Sequence, residues 1–224
     1  VSSAAGVAHV STESQDAVPA SSPWLPWLGC WQLVEETTAR AEQPDSTNRF
    51  ADRVVVCLTP STTATSGVEV TTLANGEPVL VTTLVADGVR HPVEETACTG
   101  WRQSTWSSDR ARLFARAEFA CDADRNGETR RVSGVGLMTS STTWLDIQLV
   151  DSGGRGEITV RRYRRASEST TVDAGATPLP AEIRDRARAA ARLASTTELS
   201  IDDVIEAGAA VDPTVVEALL IETR

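Results

Sequence analysis

Ala111-Arg112-Leu113-Phe114-Ala115-Arg116-Ala117-Glu118-Phe119-Ala120-Cys121 decides the fold. Ala111, Leu113, Ala115, Ala117, Phe119 and Cys121 alternate with Arg112, Phe114, Arg116, Glu118 and Ala120. One largely charged face and one apolar face at period two describe a half-buried strand. Just before it stands Ser107-Ser108-Asp109-Arg110, a turn composition, and before that the stretch Cys98 to Trp106. Cys98 and Cys121 lie equidistant from that turn, so they face one another across a hairpin, where a disulfide can form. This pairing puts Gly100, Arg102, Ser104 and Trp106 on the face of Leu113 and Phe119. Arg102 then points inward, where it needs an acid or an anionic ligand. The competing reading is a bulge that turns Arg102 outward. On the inward reading Arg102, Ser104 and Trp106 are candidate ligand contacts.

The same pattern extends in both directions. Val68 to Leu73 and Val79 to Val85 flank Asn75-Gly76, a strong hairpin signal, and Asp87-Gly88 marks the next turn. Further strands are read at 30–36, 53–59, 89–96, 98–106, 130–139, 143–150 and 157–165, with Asn126-Gly127 and 151–156 as turns. Cys30 and Cys57 flank the polar stretch Thr37 to Asp52 symmetrically, which predicts Cys30–Cys57 beside Cys98–Cys121. Each bond stabilises by roughly 3 kcal/mol. About eight to ten short, evenly spaced strands predict a mainly β protein: a sandwich or an antiparallel up-and-down barrel.

The ends read differently. Residues 1–23, rich in Ala, Ser and Val, read as a flexible tether, 24–166 as the barrel and 167–224 as an acidic helical tail. In the tail, Pro180 to Ala194 is Arg/Ala-rich and helical. Ser200-Ile201-Asp202-Asp203 and Asp212-Pro213 read as helix starts, and Val215, Val216, Leu219 and Leu220 form an apolar stripe. Helices this short need a surface, on the barrel or on a partner.

The net charge of −10 sits mostly in that tail: 5 Arg face 11 acids after residue 166, against 16 and 18 over 24–166. No basic face exists for nucleic acid. Every basic residue is Arg, which codon composition explains more simply than anion recognition. Paired cysteines without a C-x-x-C point to an oxidising, extracytoplasmic compartment and away from a zinc ribbon. A first residue of Val rather than Met suggests a chain whose export signal or anchor has been removed.

Trp27-Leu28-Gly29-Cys30-Trp31 opens the first strand with a G-x-W. It resembles the start of the calycin superfamily: lipocalins, fatty-acid-binding proteins and nitrobindin-like barrels. The resemblance spans about residues 27–165 and implies a barrel closed at its base, with Gly29 at the entry and a last-strand Arg packed on Trp31. Arg162 shares the parity of Ile158 and Val160 and is the expected partner. A lipocalin T-D-Y motif is absent. His9 and His91 lie away from the position of a nitrobindin-like haem ligand, so haem is not carried over and no cofactor is expected.

Catalytic signatures do not assemble. Asp151-Ser152-Gly153-Gly154 echoes a serine-protease nucleophile loop but has no partner His context, and it reads as a Gly-rich turn. Ser133-Gly134-Val135-Gly136 lacks a third glycine and a following helix, so the glycines read as strand kinks. Glu94-Glu95 and Asp202-Asp203 suit opposite strand faces and a helix start. No metal-ligand spacing occurs. The expectation is a non-catalytic accessory subunit that docks on a membrane-associated protein assembly through barrel and tails. The alternative is a lipocalin-like binding protein for a small apolar or amphipathic ligand.

Overall fold

The computed structural model describes residues 19, 21–40, 43–47, 54–64, 66–95, 98–121, 129–152 and 155–194. Most of the expected tether, the Asn126-Gly127 turn, Gly153-Gly154, His9 and the helix starts at Ser200 and Asp212 lie outside these residues.

Eleven strands are described: β1 (Gly29–Arg40), β2 (Gln43–Thr47), β3 (Val54–Pro60), β4 (Gly67–Ala74), β5 (Glu77–Val85), β6 (His91–Glu95), β7 (Cys98–Trp106), β8 (Arg112–Cys121), β9 (Thr129–Ser140), β10 (Thr143–Ser152) and β11 (Arg155–Arg165). They form one sheet in the order β5-β4-β3-β1-β11-β10-β9-β8-β7-β6, with β2 attached to β1 off this path. Every ladder is antiparallel. Long strands with the usual twist curl the sheet into a barrel-like shell. The shell is closed between β1 and β11 by hydrogen bonds, and a seam is left where β5 approaches β6 and β7.

Local chemistry sets the corners. Asn75 and Gly76 take φ of 56° and 85°, the pair of positive values that a two-residue hairpin turn demands. Gly100 has a different duty: a Cβ there would lie 1.9 Å from the Glu118 carbonyl oxygen across the ladder, so only glycine permits β7 and β8 to pair. That ladder runs without a register shift from Cys98↔Cys121 to Trp106↔Leu113. There is therefore no bulge at Arg102, which faces the same side as Ser104, Trp106 and Leu113. The Cys30–Cys57 disulfide joins β1 to β3, whose Cα positions are directly paired. Cys98 is also disulfide-bonded, and its backbone partner is Cys121.

The two faces of the sheet divide in an unexpected way. Trp31, Leu33, Val56, Leu58, Val68, Met138 and Tyr163 are buried together on the concave side with Trp24, Leu25, Trp27 and Leu28. Over β9 to β11 the convex side is apolar too: Val135, Leu137, Leu145, Ile147, Ile158 and Val160 are all buried, and Phe114 joins them from β8, which otherwise turns Arg112, Arg116 and Glu118 to that side. The concave side of the same strands carries Gln148, Asp146, Thr159 and Arg161, which pair across β10 and β11. On β10 and β11 apolar parity therefore marks the outside of the barrel, whereas on β8 it marks the inside.

Two helices follow the last strand. α1 (Glu168–Asp173) is capped by Ser167, whose hydroxyl accepts from the Thr170 N–H. α2 (Ala181–Ala194) buries Ala187 and Ala191 against the 3₁₀ turn at Leu25–Trp27 and the end of β9. Small residues on this helix face let its backbone approach the tryptophans closely.

Candidate functional site

The base of the barrel is sealed. Trp27 sits between Trp106 and Trp144, with ring centroids 5.9 and 5.4 Å away, and Trp24 packs edge-on against Trp106 at 4.8 Å. Trp144 stacks on Tyr163 at 4.5 Å. Gly136 makes room for this: a Cβ there would come within 3.3 to 3.6 Å of the Trp144 and Trp27 rings. At Gly134 a Cβ would lie 2.8 Å from the Ile147 carbonyl oxygen. Both glycines serve close approach, a more specific role than the strand kinks read from the sequence.

The base is closed by Arg165, not Arg162. The Arg165 guanidinium lies 4.1 Å over the Trp31 ring and donates to the carbonyls of Leu28 (2.9 Å) and Pro26 (2.8 Å). Burial, with Arg188 nearby, lowers its pKa to about 10. Gly29 holds φ at 115°, and a Cβ there would stand 3.1 Å from this guanidinium. Glycine is thus required at 29 by backbone and by space together. Arg162 lies on the convex side and pairs with Glu35 at 3.1 Å. The parity argument grouped Arg162 correctly with Ile158 and Val160, but that face is the outer one.

Above the aromatic base the interior turns polar. Arg161 donates to Glu36 at 2.6 Å and to Gln148 at 3.2 Å, and Asp146 lies 3.8 Å from it. Gln148 donates to Asp146 at 2.9 Å, and Thr38 and Thr159 share a hydrogen bond. Burial pushes the Asp146 carboxyl up to about 6, against the opposing pull of Arg161 and Gln148. Burial also raises the Tyr163 phenol above its ordinary value. Beside these groups small residues recur on β8 and β9: Ala115 pairs with Gly134, Gly136 with Leu113 and Ala117 with Val132, and Gly136 and Gly134 lie next to Asp146 and Gln148. The Trp144 indole N–H at the floor of this half is buried and has no acceptor among the described residues. None of Glu36, Asp146, Gln148 and Arg161 was singled out from the sequence. Their signal was a break in apolar alternation on β10, visible only once sidedness is known.

At the seam lies a cavity of about 250 Å³, lined by Thr83, Leu84, Val85, His91, Pro92, Arg102 and Ser104. Arg102 reaches from β7 to β5, donating to the Thr82 hydroxyl at 2.7 Å and to the Thr83 carbonyl at 2.6 Å. The edge carbonyl of β5 is thereby satisfied without a ladder. Ser104 is buried beside it. The sequence-read trio is therefore divided: Arg102 and Ser104 line this cavity, while Trp106 belongs to the aromatic base.

No protein-family model matches the chain, and no curated protein matches it. Among solved structures the chain is similar to a SAHS (abundant heat soluble) protein from Ramazzottius varieornatus, at 9% identity over 63% of this chain and 96% of that one, with a TM-score of 0.36. An S-type phycobiliprotein lyase from Guillardia theta is similar at 8% identity over 64% and 90%, with a TM-score of 0.35. A redesigned β-barrel bound to DFHBI is similar at 13% identity over 64% and 98%, with a TM-score of 0.29.

Proposed function

We propose that this chain is a non-catalytic binding barrel that takes a small amphipathic molecule in the upper half of its interior. One observation carries the reading: above a sealed aromatic base, the small residues Gly134, Gly136, Ala115 and Ala117, interspersed with Leu113 and Val132, lie beside inward-facing hydrogen-bonding groups. A barrel selected for stability alone would fill that space with packed apolar side chains. On this reading the small concave-side residues leave room for the ligand, and the Trp144 N–H, Gln148 and the Thr38–Thr159 pair are its polar anchors. The disulfides support assignment to an oxidising, extracytoplasmic compartment.

The accessory-subunit reading has less behind it. It needed the tail helices for docking, and α2 spends its apolar face on the barrel's own base.

Titration with 1-anilinonaphthalene-8-sulfonate, followed by fluorescence, tests the proposal. Saturable one-to-one binding is expected, with loss in Ala115→Phe while the far-ultraviolet circular dichroism stays unchanged. Absence of saturation, or binding untouched by Ala115→Phe, contradicts it.

A further inference from the structure

The geometry points to a carboxylate-binding subsite at the seam, built on Arg102 and Ser104. The inference rests on the lumen-binding reading and narrows its ligand to a small amphipathic acid. Arg102 is partly buried, yet among the described residues no carboxylate pairs with it: its two hydrogen bonds there go to neutral oxygens of Thr82 and Thr83. A guanidinium has five N–H donors in a planar fork, so three remain for an incoming acceptor. A half-buried cation satisfied only by neutral groups retains a strong attraction for an anion.

The surroundings fit one chemical class. The Ser104 side chain, buried to 4% exposure, lines the same cavity. His91 stands directly opposite Arg102 in the ladder, and its ring nitrogen is engaged by Asp87 at 3.0 Å. The remaining walls, Leu84, Val85 and Pro92, are apolar. An anionic head on Arg102 and Ser104 with a short apolar body against these three uses five of the seven lining residues. The volume is larger than an engineered cavity of about 150 Å³ that takes benzene, so a ligand somewhat larger than benzene fits.

A purely structural role, in which Arg102 only straps β5 to β7, is the alternative that the test must separate. Hexanoate and 1-hexanol share one tail and differ in the head. Binding is followed by ¹⁵N NMR on the intact chain, reading the Arg102 Nε–H signal, assigned by its loss in Arg102→Lys. Hexanoate is expected to shift that signal saturably and to bind at least tenfold more tightly than 1-hexanol. Arg102→Lys should keep the preference for the acid and Arg102→Gln should abolish it. Competition by inorganic phosphate would mark the head-group site as open to free anions as well, and supports the same chemistry. Equal affinity for acid and alcohol overturns the subsite while leaving the lumen reading intact. Failure of both to bind overturns the two together. Since the acid–alcohol comparison is made on the unaltered chain, it stands even where a variant fails to fold.

Discussion

The base and the upper half of this barrel are built from the same strands, yet they use burial in opposite ways. At the base, tryptophans pack ring against ring, and the Arg165 guanidinium directs its donors to main-chain carbonyls. In the upper half the same strands turn a carboxylate pair, a guanidinium and an amide inward. Apolar burial stabilises the base by the area it removes from water. The polar half carries desolvation costs that hydrogen bonds only partly offset, and the displaced Asp146 pKa is the visible trace of that cost. Stability is concentrated below, and on the proposed reading binding takes place above.

The largest test of this contrast is truncation of the base. Trp31 is fully buried, so Trp31→Ala should lower unfolding free energy by about 4 kcal/mol, measured by urea denaturation. A loss below about 1 kcal/mol would mean that the base does not anchor the fold. Removing the Cys30–Cys57 bond, with a sequence separation of 27, should cost about 3 kcal/mol by release of chain entropy in the unfolded state. Double substitution to Ser with the same denaturation assay measures it.

The polar half predicts the opposite sign. The folded Asp146 carboxyl holds its proton more tightly than the unfolded chain, with a pKa of about 6 against 3.8. Stability from this group is therefore lost as pH rises from about 4 through about 6, by at most about 3 kcal/mol. Asp146→Asn should raise stability at pH 7.5 and change it little at pH 4, with urea midpoints at both values as the readout. A destabilised variant at pH 7.5 would show that Asp146 supports the fold as an ion-pair partner.

The smallest effect separates two arginines. Arg165→Ala should cost about 2 kcal/mol through its ring contact and carbonyl bonds, whereas Arg162→Ala, a half-exposed pair with Glu35, should cost less than about 0.5 kcal/mol. Equal losses would break the assignment of the barrel closure to Arg165.

Much of this architecture is legible in the sequence, because its cues are local. Asn75-Gly76 states a hairpin turn in two residues, and cysteines placed symmetrically about a loop state a register. Parity also grouped side chains correctly: Arg102 falls with Ser104 and Trp106, and Arg162 with Ile158 and Val160. What parity cannot give is which group faces inward. On β10 and β11 both faces carry buried residues, and the more apolar one is the convex face, so the usual equation of apolar with interior, which holds on β8, reversed the choice between Arg162 and Arg165. The polar cluster was hidden for the same reason. The seam was hidden because Arg102 meets Thr82 through the closing of the whole sheet, a contact between strands that share no hairpin.

The central claim is that the upper half of the interior is an accessible binding space and the base is not. Mapping of ¹⁵N backbone shifts during titration with 1-hexanol tests it most directly. The account predicts saturable shifts at Ala115, Gly134, Gln148 and Thr159, with Trp27, Leu28 and Trp31 unmoved. Shifts centred on the tryptophan base, or none anywhere in the interior, would contradict it.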